Sequence, residues 1–272
     1  MRQLLSTLIF VLYVCTAIAG TNQIDSVRSE PVVAAISTDG ASSEQLLELA
    51  AANYSKGNYV AAAQQYETIL KRVGASEALF YNLGNAYFKS DCLAPAILNY
   101  ERALRLNPAD GDARFNLEMC QARIVDKIDP IGMFLIVRWY HALGNLQNSN
   151  GWATTSILFF ILFIGSLFAY FFARRRFLKK FGFFFGIAML AFSSLSMVYS
   201  AQESQRLTHS DEAILFTLSV TVKSSPDKSG TDLFVLHEGT KMTVRSELGD
   251  WSEIELEDGN IGWLLSKDIQ RI

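Results

Sequence analysis

Five cationic side chains, Arg174, Arg175, Arg176, Lys179 and Lys180, fall within seven residues. Thr154–Ala173 before them and Phe181–Gln202 after them carry no charge. About twenty apolar residues in α-helix cross a hydrocarbon core of roughly 30 Å. The pattern therefore predicts a membrane hairpin, with helices over 154–173 and 181–201 and a basic loop over 174–180. Twelve large apolar side chains between Ile157 and Phe172 favour insertion of the first helix by roughly 4–7 kcal/mol. Holding five cations outside against the membrane potential costs on the order of 11 kcal/mol per 100 mV, so the loop is expected in the cytoplasm. A basic run in a soluble chain reads instead as a nucleic-acid or nuclear-targeting patch. Spans touching both of its ends argue against that here.

The N-terminus agrees. Arg2, the apolar run Leu4–Val14 and Ala17-Ile18-Ala19 form a secretory signal over 1–19, with cleavage expected before Gly20. Val14 is too bulky for the residue preceding a lipidated cysteine, which argues against lipidation at Cys15. Cleaved or retained as an anchor, the segment directs export of the chain from Gly20 onward. Residues 20–42, poor in large apolar side chains and broken by Pro31 and Gly40, read as a flexible leader.

Beyond the leader the chain repeats itself. Leu49, Leu83 and Leu117 recur every 34 residues, as do the pairs Ala62/Ala96, Tyr66/Tyr100 and Leu70/Leu104. A period of 34 is that of the tetratricopeptide repeat (TPR), a helix–turn–helix unit. Phe80-Tyr81-Asn82-Leu83-Gly84-Asn85-Ala86-Tyr87 with Ala96, Tyr100, Ala103 and Pro108 resembles its consensus closely. Residues 43–125 therefore read as two repeats plus a capping helix. Three or more repeats are usually needed for stability, so extra burial is expected, against the membrane-proximal segment or a partner. Such repeats form a concave groove for segments of other proteins. The groove-facing positions map to Tyr81, Asn82, Asn85, Phe88, Lys89, Phe115, Asn116 and Met119. Tyr87 and Tyr100 read as core, while Tyr81, Phe88 and Phe115 read equally well as core or groove. Leu47 and Asp112 stand where carboxylate-clamp repeats need cations, which disfavours capture of a free C-terminal carboxylate.

The segment 129–150 is too short and too charged to span. Trp139, Tyr140 and Trp152 suit a lipid–water interface, so an amphipathic helix on the membrane surface is expected. A buried helix under the repeats is the alternative.

From Leu207 the pattern shifts to short β-rich runs separated by turn signals such as Asp258-Gly259-Asn260. Five short strands over 207–272 predict a small all-β barrel. The order of V-x-V-K-S-x-P, E-G-T, G-x-W and G-x-I-G-W resembles the bacterial SH3-type domain, a module for cell-wall peptides or protein. Trp251 and Trp263 are its candidate ligand residues, and Trp263 also suits a core anchor. About twelve acids against about six bases in this region argue against a nucleic-acid partner.

No catalytic pattern emerges. His141, His209 and His237 are scattered, and Cys92 and Cys120 lack a C-x-x-C spacing. Glu253, Glu255 and Glu257 read as one solvated strand face. Whether the two cysteines pair stays open. Neither an enzyme, a cofactor nor a metal is expected.

The whole order, signal, TPR, membrane hairpin and SH3-type domain, resembles the BatE-like family of bacterial aerotolerance (Bat) operon proteins. Its most specific stretch runs from Arg206-Leu207-Thr208 through Val220-Thr221-Val222-Lys223 to Ser229–Thr240. The resemblance implies a two-pass inner-membrane protein with TPR and SH3-type regions in the periplasm. It also implies Bat membrane partners with von Willebrand A domains, a MoxR-type ATPase on the cytoplasmic side, and a role in envelope integrity under oxidative stress. The expected function is a membrane scaffold. A peptidoglycan receptor acting through the SH3-type domain is the alternative, and a redox sensor using Cys92 and Cys120 a third reading.

Overall fold

The computed structural model describes residues 42–128, 132, 134–208 and 210–272. The signal 1–19 and the leader up to residue 41 lie outside them, as does His209. The protein is multidomain: a helical TPR-like region, two apolar helices, and an all-β SH3-like region.

Five helices build the first region: α1 (Ser43–Ser55), α2 (Tyr59–Val73), α3 (Glu77–Lys89), α4 (Leu93–Leu106) and α5 (Gly111–Gln121). Their starts are written in the sequence. Ser42 and Gln45 form a reciprocal capping box on α1, Ser76 caps α3, and the Asp110 carboxylate accepts from the amides of Asp112 and Ala113 at the start of α5. Leu46, Ala50, Ala62, Tyr66, Ile69 and Leu83 share one core. The helices α3 and α4 approach so closely that a Cβ on Gly84 would lie 2.8 Å from the Tyr100 ring. A residue with any side chain there forces the pair apart.

The second region is antiparallel and seven-stranded: β1 (Glu212–Leu215), β2 (Ser219–Lys223), β3 (Asp232–His237), β4 (Lys241–Leu248), β5 (Trp251–Glu255), β6 (Ile261–Leu265) and β7 (Ile269–Arg271). Their spatial order is β3-β2-β6-β5-β4-β1-β7. The expectation of five strands is thus corrected to seven. The two extra ones, β1 and β7, pair with each other, and β1 also pairs with β4. Ala213, Leu215, Val222, Leu236, Met242, Ile254 and Leu264 fill the core beneath the strands.

This sheet supplies extra burial of the kind that a short repeat array needs. Ile214 and Ile272 enter one buried cluster with Ala94, Ile97, Leu98, Leu117 and Cys120 of the repeats. At the tight turn after β3, Gly239 has φ +85°, and a Cβ there would lie 2.7 Å from the Ile124 side chain.

Between the two regions lie α6 (Leu135–Gly144), α7 (Ser149–Phe172) and α8 (Arg176–Thr208). Both α7 and α8 are long and apolar enough to cross a membrane. They form a hairpin through small residues. A Cβ on Gly182 would meet the Ser166 carbonyl oxygen at 3.1 Å. Ser156 and Ser193 each donate to the other's backbone carbonyl at 3.0 Å, as do Ser149 and Ser200. Close backbone approach and interhelical hydrogen bonds hold helices together where no hydrophobic gain remains.

α8 begins at Arg176, so the turn between the helices is shorter than the 174–180 loop expected. Its 33 residues rise about 50 Å, well beyond a 30 Å core. The far end reaches the repeats, where the Arg105 guanidinium donates to the carbonyls of Arg206 (2.7 Å) and Leu207 (3.0 Å). α6 lies against the same end. Trp152 stacks on Tyr199 at 4.9 Å and donates to the Gly144 carbonyl at 2.9 Å, and Tyr140 packs on Tyr199 at 4.8 Å. The hairpin therefore returns the chain to the end from which it left.

Candidate interaction surfaces

The first helix of each repeat unit, α1, α3 and α5, contributes to the groove. Asn85 on α3 accepts from the Tyr100 hydroxyl at 2.6 Å and from the Asn116 amide at 2.9 Å. The Asn116 amide also reaches the Tyr81 hydroxyl at 3.5 Å. Asn85 and Asn116 thus join α3 to α5 and to the buried Tyr100, and their polar atoms point at each other. Burial, reinforced by nearby ionisable groups, pushes the Tyr100 phenol far above its ordinary value. The hydroxyl donates and stays protonated.

The other groove candidates divide. Phe88 is half-buried against the α4 core and lies beneath the Arg123 guanidinium, 5.4 Å from it. Tyr87 is half-buried, and its hydroxyl donates to Glu67. Lys89 is exposed, and Tyr81 and Asn82 are half-exposed. Phe115 is 62% exposed and Met119 45%, joined by Leu47 at 41%. Leu47 and Phe115 stand two repeat periods apart at equivalent positions, Met119 lies one turn beyond Phe115 on α5, and none of the three contributes to the core.

At the end of the groove formed by the starts of α3 and α5 is a cavity of about 460 Å3. Its lining includes Tyr81, Asn82, Glu77, Asn107, Asp110 and Asp112, and no Lys or Arg. Burial, then a hydrogen bond to Asp110 and its charge, raise the Glu77 pKa above the ordinary carboxylate value. Glu77 and Asp110 are not among the groove positions that the repeat pattern marks. Their signal in the sequence is the position of each beside a helix start, which usually means no more than a cap.

On the β region, register places the candidate aromatics on one outward face. Trp251 lies opposite Leu265 and Leu248, Trp263 opposite Glu253 and Lys223, and Ile261 opposite Glu255. Directly opposed residues share a face. Both tryptophans are half-buried, and Leu248 and Ile261 stand 61% and 39% exposed beside them. Arg245 pairs with Glu255 at 2.7 Å, and the Ser246 hydroxyl donates to Glu253 at 2.9 Å.

A third surface is closed by the chain itself. Lys241 of β4 sits 3.1 Å from Glu101 of α4 and 3.1 Å from Glu212 of β1. Burial works against its charge, but the two carboxylates outweigh it and raise its pKa. Asp126 accepts from the His237 amide at 2.6 Å and the Thr240 hydroxyl at 2.7 Å, and lies 2.9 Å from the His237 ring. Burial again opposes the Asp126 charge, but these donors win and lower its pKa. Arg102 donates to the Arg271 carbonyl at 2.7 Å. The cysteines are free thiols: Cys92 is exposed, and burial pushes Cys120 up to about 11.

The five cations of the hairpin turn are all exposed. Arg176, Lys179 and Lys180 stand at the N-terminus of α8, where positive charge opposes the helix dipole. Local helix stability does not account for them. Among the described residues, no group of three or more His, Cys, Asp or Glu is arranged to hold a metal ion.

A comparison of the chain with curated proteins finds no significant match. Two segments do match known families: residues 78–110, covering α3 and α4, match the tetratricopeptide repeat, and residues 219–270, β2 to β7, match the bacterial SH3 domain.

Proposed function

We propose that the protein is a two-pass inner-membrane scaffold that acts by binding rather than by catalysis, with both interaction modules in the periplasm. The observation carrying this reading is that the hairpin returns the chain to one end, where TPR helices and SH3-like strands share a core while the groove stays open. The exposed cations at the opposite end support a cytoplasmic turn. Phe134 just before α6, and Leu135 and Trp139 on it, are 84%, 68% and 70% exposed, which supports α6 lying in the lipid–water interface. The order of modules supports a place in a Bat-type aerotolerance complex. Its partners there are membrane proteins with von Willebrand A domains, and the role is envelope integrity under oxidative stress.

The test is a crosslinked, mild-detergent pull-down of the full chain beside a Phe115→Ala/Met119→Ala variant. Membrane proteins recovered with the wild type and lost with the variant bear the scaffold out. An unchanged partner list removes the groove from the account. The second reading, a peptidoglycan receptor, is favoured by the outward Trp251–Trp263–Ile261 face. It predicts muropeptide binding that is lost in Trp251→Ala while the Phe115→Ala/Met119→Ala variant retains it.

A further inference from the structure

Where the repeats, the end of α8 and the β region meet lies a second cavity, of about 520 Å3. Four acids and three arginines line it, among them Glu101, Glu118 and Glu212 against Arg105, Arg114 and Arg206. Its depth follows from α8. Arg206 stands five residues past Ala201, where the second apolar stretch ends, about 7 Å further along the helix axis. The polar layer on each side of a hydrocarbon core is about 5–8 Å thick, so this wall of the cavity lies at the level of lipid headgroups. Asn145, in the turn between α6 and α7, lines the cavity too.

The charges in it are incompletely matched. Lys241 lies 3.1 Å from both Glu101 and Glu212, so two carboxylates share one ammonium. The guanidinium groups of Arg105 and Arg114 donate to backbone carbonyls, and neither makes an ion pair among the described residues. Glu118 makes none there either, although it sits one turn from Arg114 on α5. Unpaired surface charges are ordinary. What sets these apart is that both signs meet in one cavity at headgroup depth. An ion of either sign satisfies one set of groups and is repelled by the other. A zwitterion satisfies both.

We infer that the cavity binds the headgroup of an ethanolamine phospholipid, with its phosphate on Arg114 and its primary ammonium on Glu118 and the Glu101–Glu212 side. Side chains four apart on a helix stand about 5–6 Å apart, a spacing that a phosphate and an ammonium joined by an ethylene bridge can span. The ammonium of phosphatidylcholine has no N–H to donate to a carboxylate, and phosphatidylglycerol brings no cation at all. The inference rests on the membrane-hairpin reading. It is independent of the groove, since Phe115 and Met119 do not line this cavity.

The experiment is native mass spectrometry of the full chain released from nanodiscs holding equal parts of phosphatidylethanolamine, phosphatidylcholine and phosphatidylglycerol. Retained phosphatidylethanolamine is expected to exceed phosphatidylcholine about three- to tenfold, as for partly exposed ion pairs. The excess is expected to vanish in Arg114→Gln/Glu118→Gln and to persist in Phe115→Ala/Met119→Ala, with helix content of both checked by circular dichroism. No excess, or an excess unchanged in Arg114→Gln/Glu118→Gln, overturns the inference while the hairpin reading stands. So does loss of phosphatidylglycerol in that variant instead of phosphatidylethanolamine. A parallel titration adds free phosphoethanolamine to the chain in phosphatidylcholine discs. Saturable binding there without retention of the lipid assigns the cavity to a soluble zwitterion and overturns the lipid source. A chain that does not enter nanodiscs overturns the hairpin reading as well.

Discussion

The repeat helices have two working faces, and they differ in how completely the chain satisfies them. On the α4 face, Ile214 and Ile272 are buried, Lys241 has two carboxylate partners, and Asp126 has three donors. On the first-helix face, Leu47, Phe115 and Met119 stand open, and Glu77, Asp110 and Asp112 make no ion pair among the described residues. The closed face supplies the stability that two repeats and a capping helix lack alone. Leu47, Phe115 and Met119 on the open face are thereby left out of the core. A protein that must keep an apolar groove available needs its core completed elsewhere, and here the SH3-like strands complete it.

Breaking the closed face is the largest perturbation available. Ile214→Ala empties a fully buried site in the shared core, at a cost of about 2–5 kcal/mol. Chemical denaturation of the full chain should show repeats and β region losing stability together. Separate transitions, with the repeats unmoved, contradict the shared core. Lys241→Met leaves Glu101 largely buried without its partner. Because Lys241 is 23% exposed, the expected loss is about 2 kcal/mol, discounted from fully buried pairs. Glu101→Gln in the same chain should recover part of it, and a strictly additive double variant argues against the pair.

Acid is a gentler probe of the same face. The folded-state pKa of Asp126 is lowered, so its contribution is full above the unfolded-state value near 3.8. It is lost as pH falls through the folded value. Stability should therefore drop below about pH 4, and Asp126→Asn should shrink that dependence. An identical acid limb in the variant assigns the loss to other groups. The smallest effect belongs to the open face. Phe115→Ala/Met119→Ala should change stability by about 0.5 kcal/mol or less while abolishing groove-dependent binding. A large fall in melting temperature makes those residues core after all.

The hairpin is legible in sequence because two uncharged stretches and a basic turn leave few alternatives. The repeat is legible because its period survives in Leu49, Leu83 and Leu117. What escapes a sequence reading has a common physical character: short elements and distant pairs. β1 and β7 are four and three residues long, too short for alternation to be read. Asp126 and His237 are 111 residues apart, and no local pattern announces their meeting. Asn85 and Asn116 occupy groove positions, yet they bond to each other because Tyr100 brings a buried hydroxyl between the helices. α8 runs past residue 201 into the polar stretch Gln202–Thr208, since tertiary anchoring by Arg105 holds a helix there that hydropathy does not mark. The close approach at Gly182 and Gly186 is visible as two small residues four apart, but only the facing Ser166 gives that spacing meaning.

Photo-crosslinking in intact cells tests the open-groove claim most directly, with benzoylphenylalanine placed at Phe115 in one chain and at Trp251 in another. A discrete membrane-protein adduct at position 115, weakened by Met119→Ala, is the expected result. Adducts confined to position 251, with none at 115 in cells expressing the full chain, would contradict it.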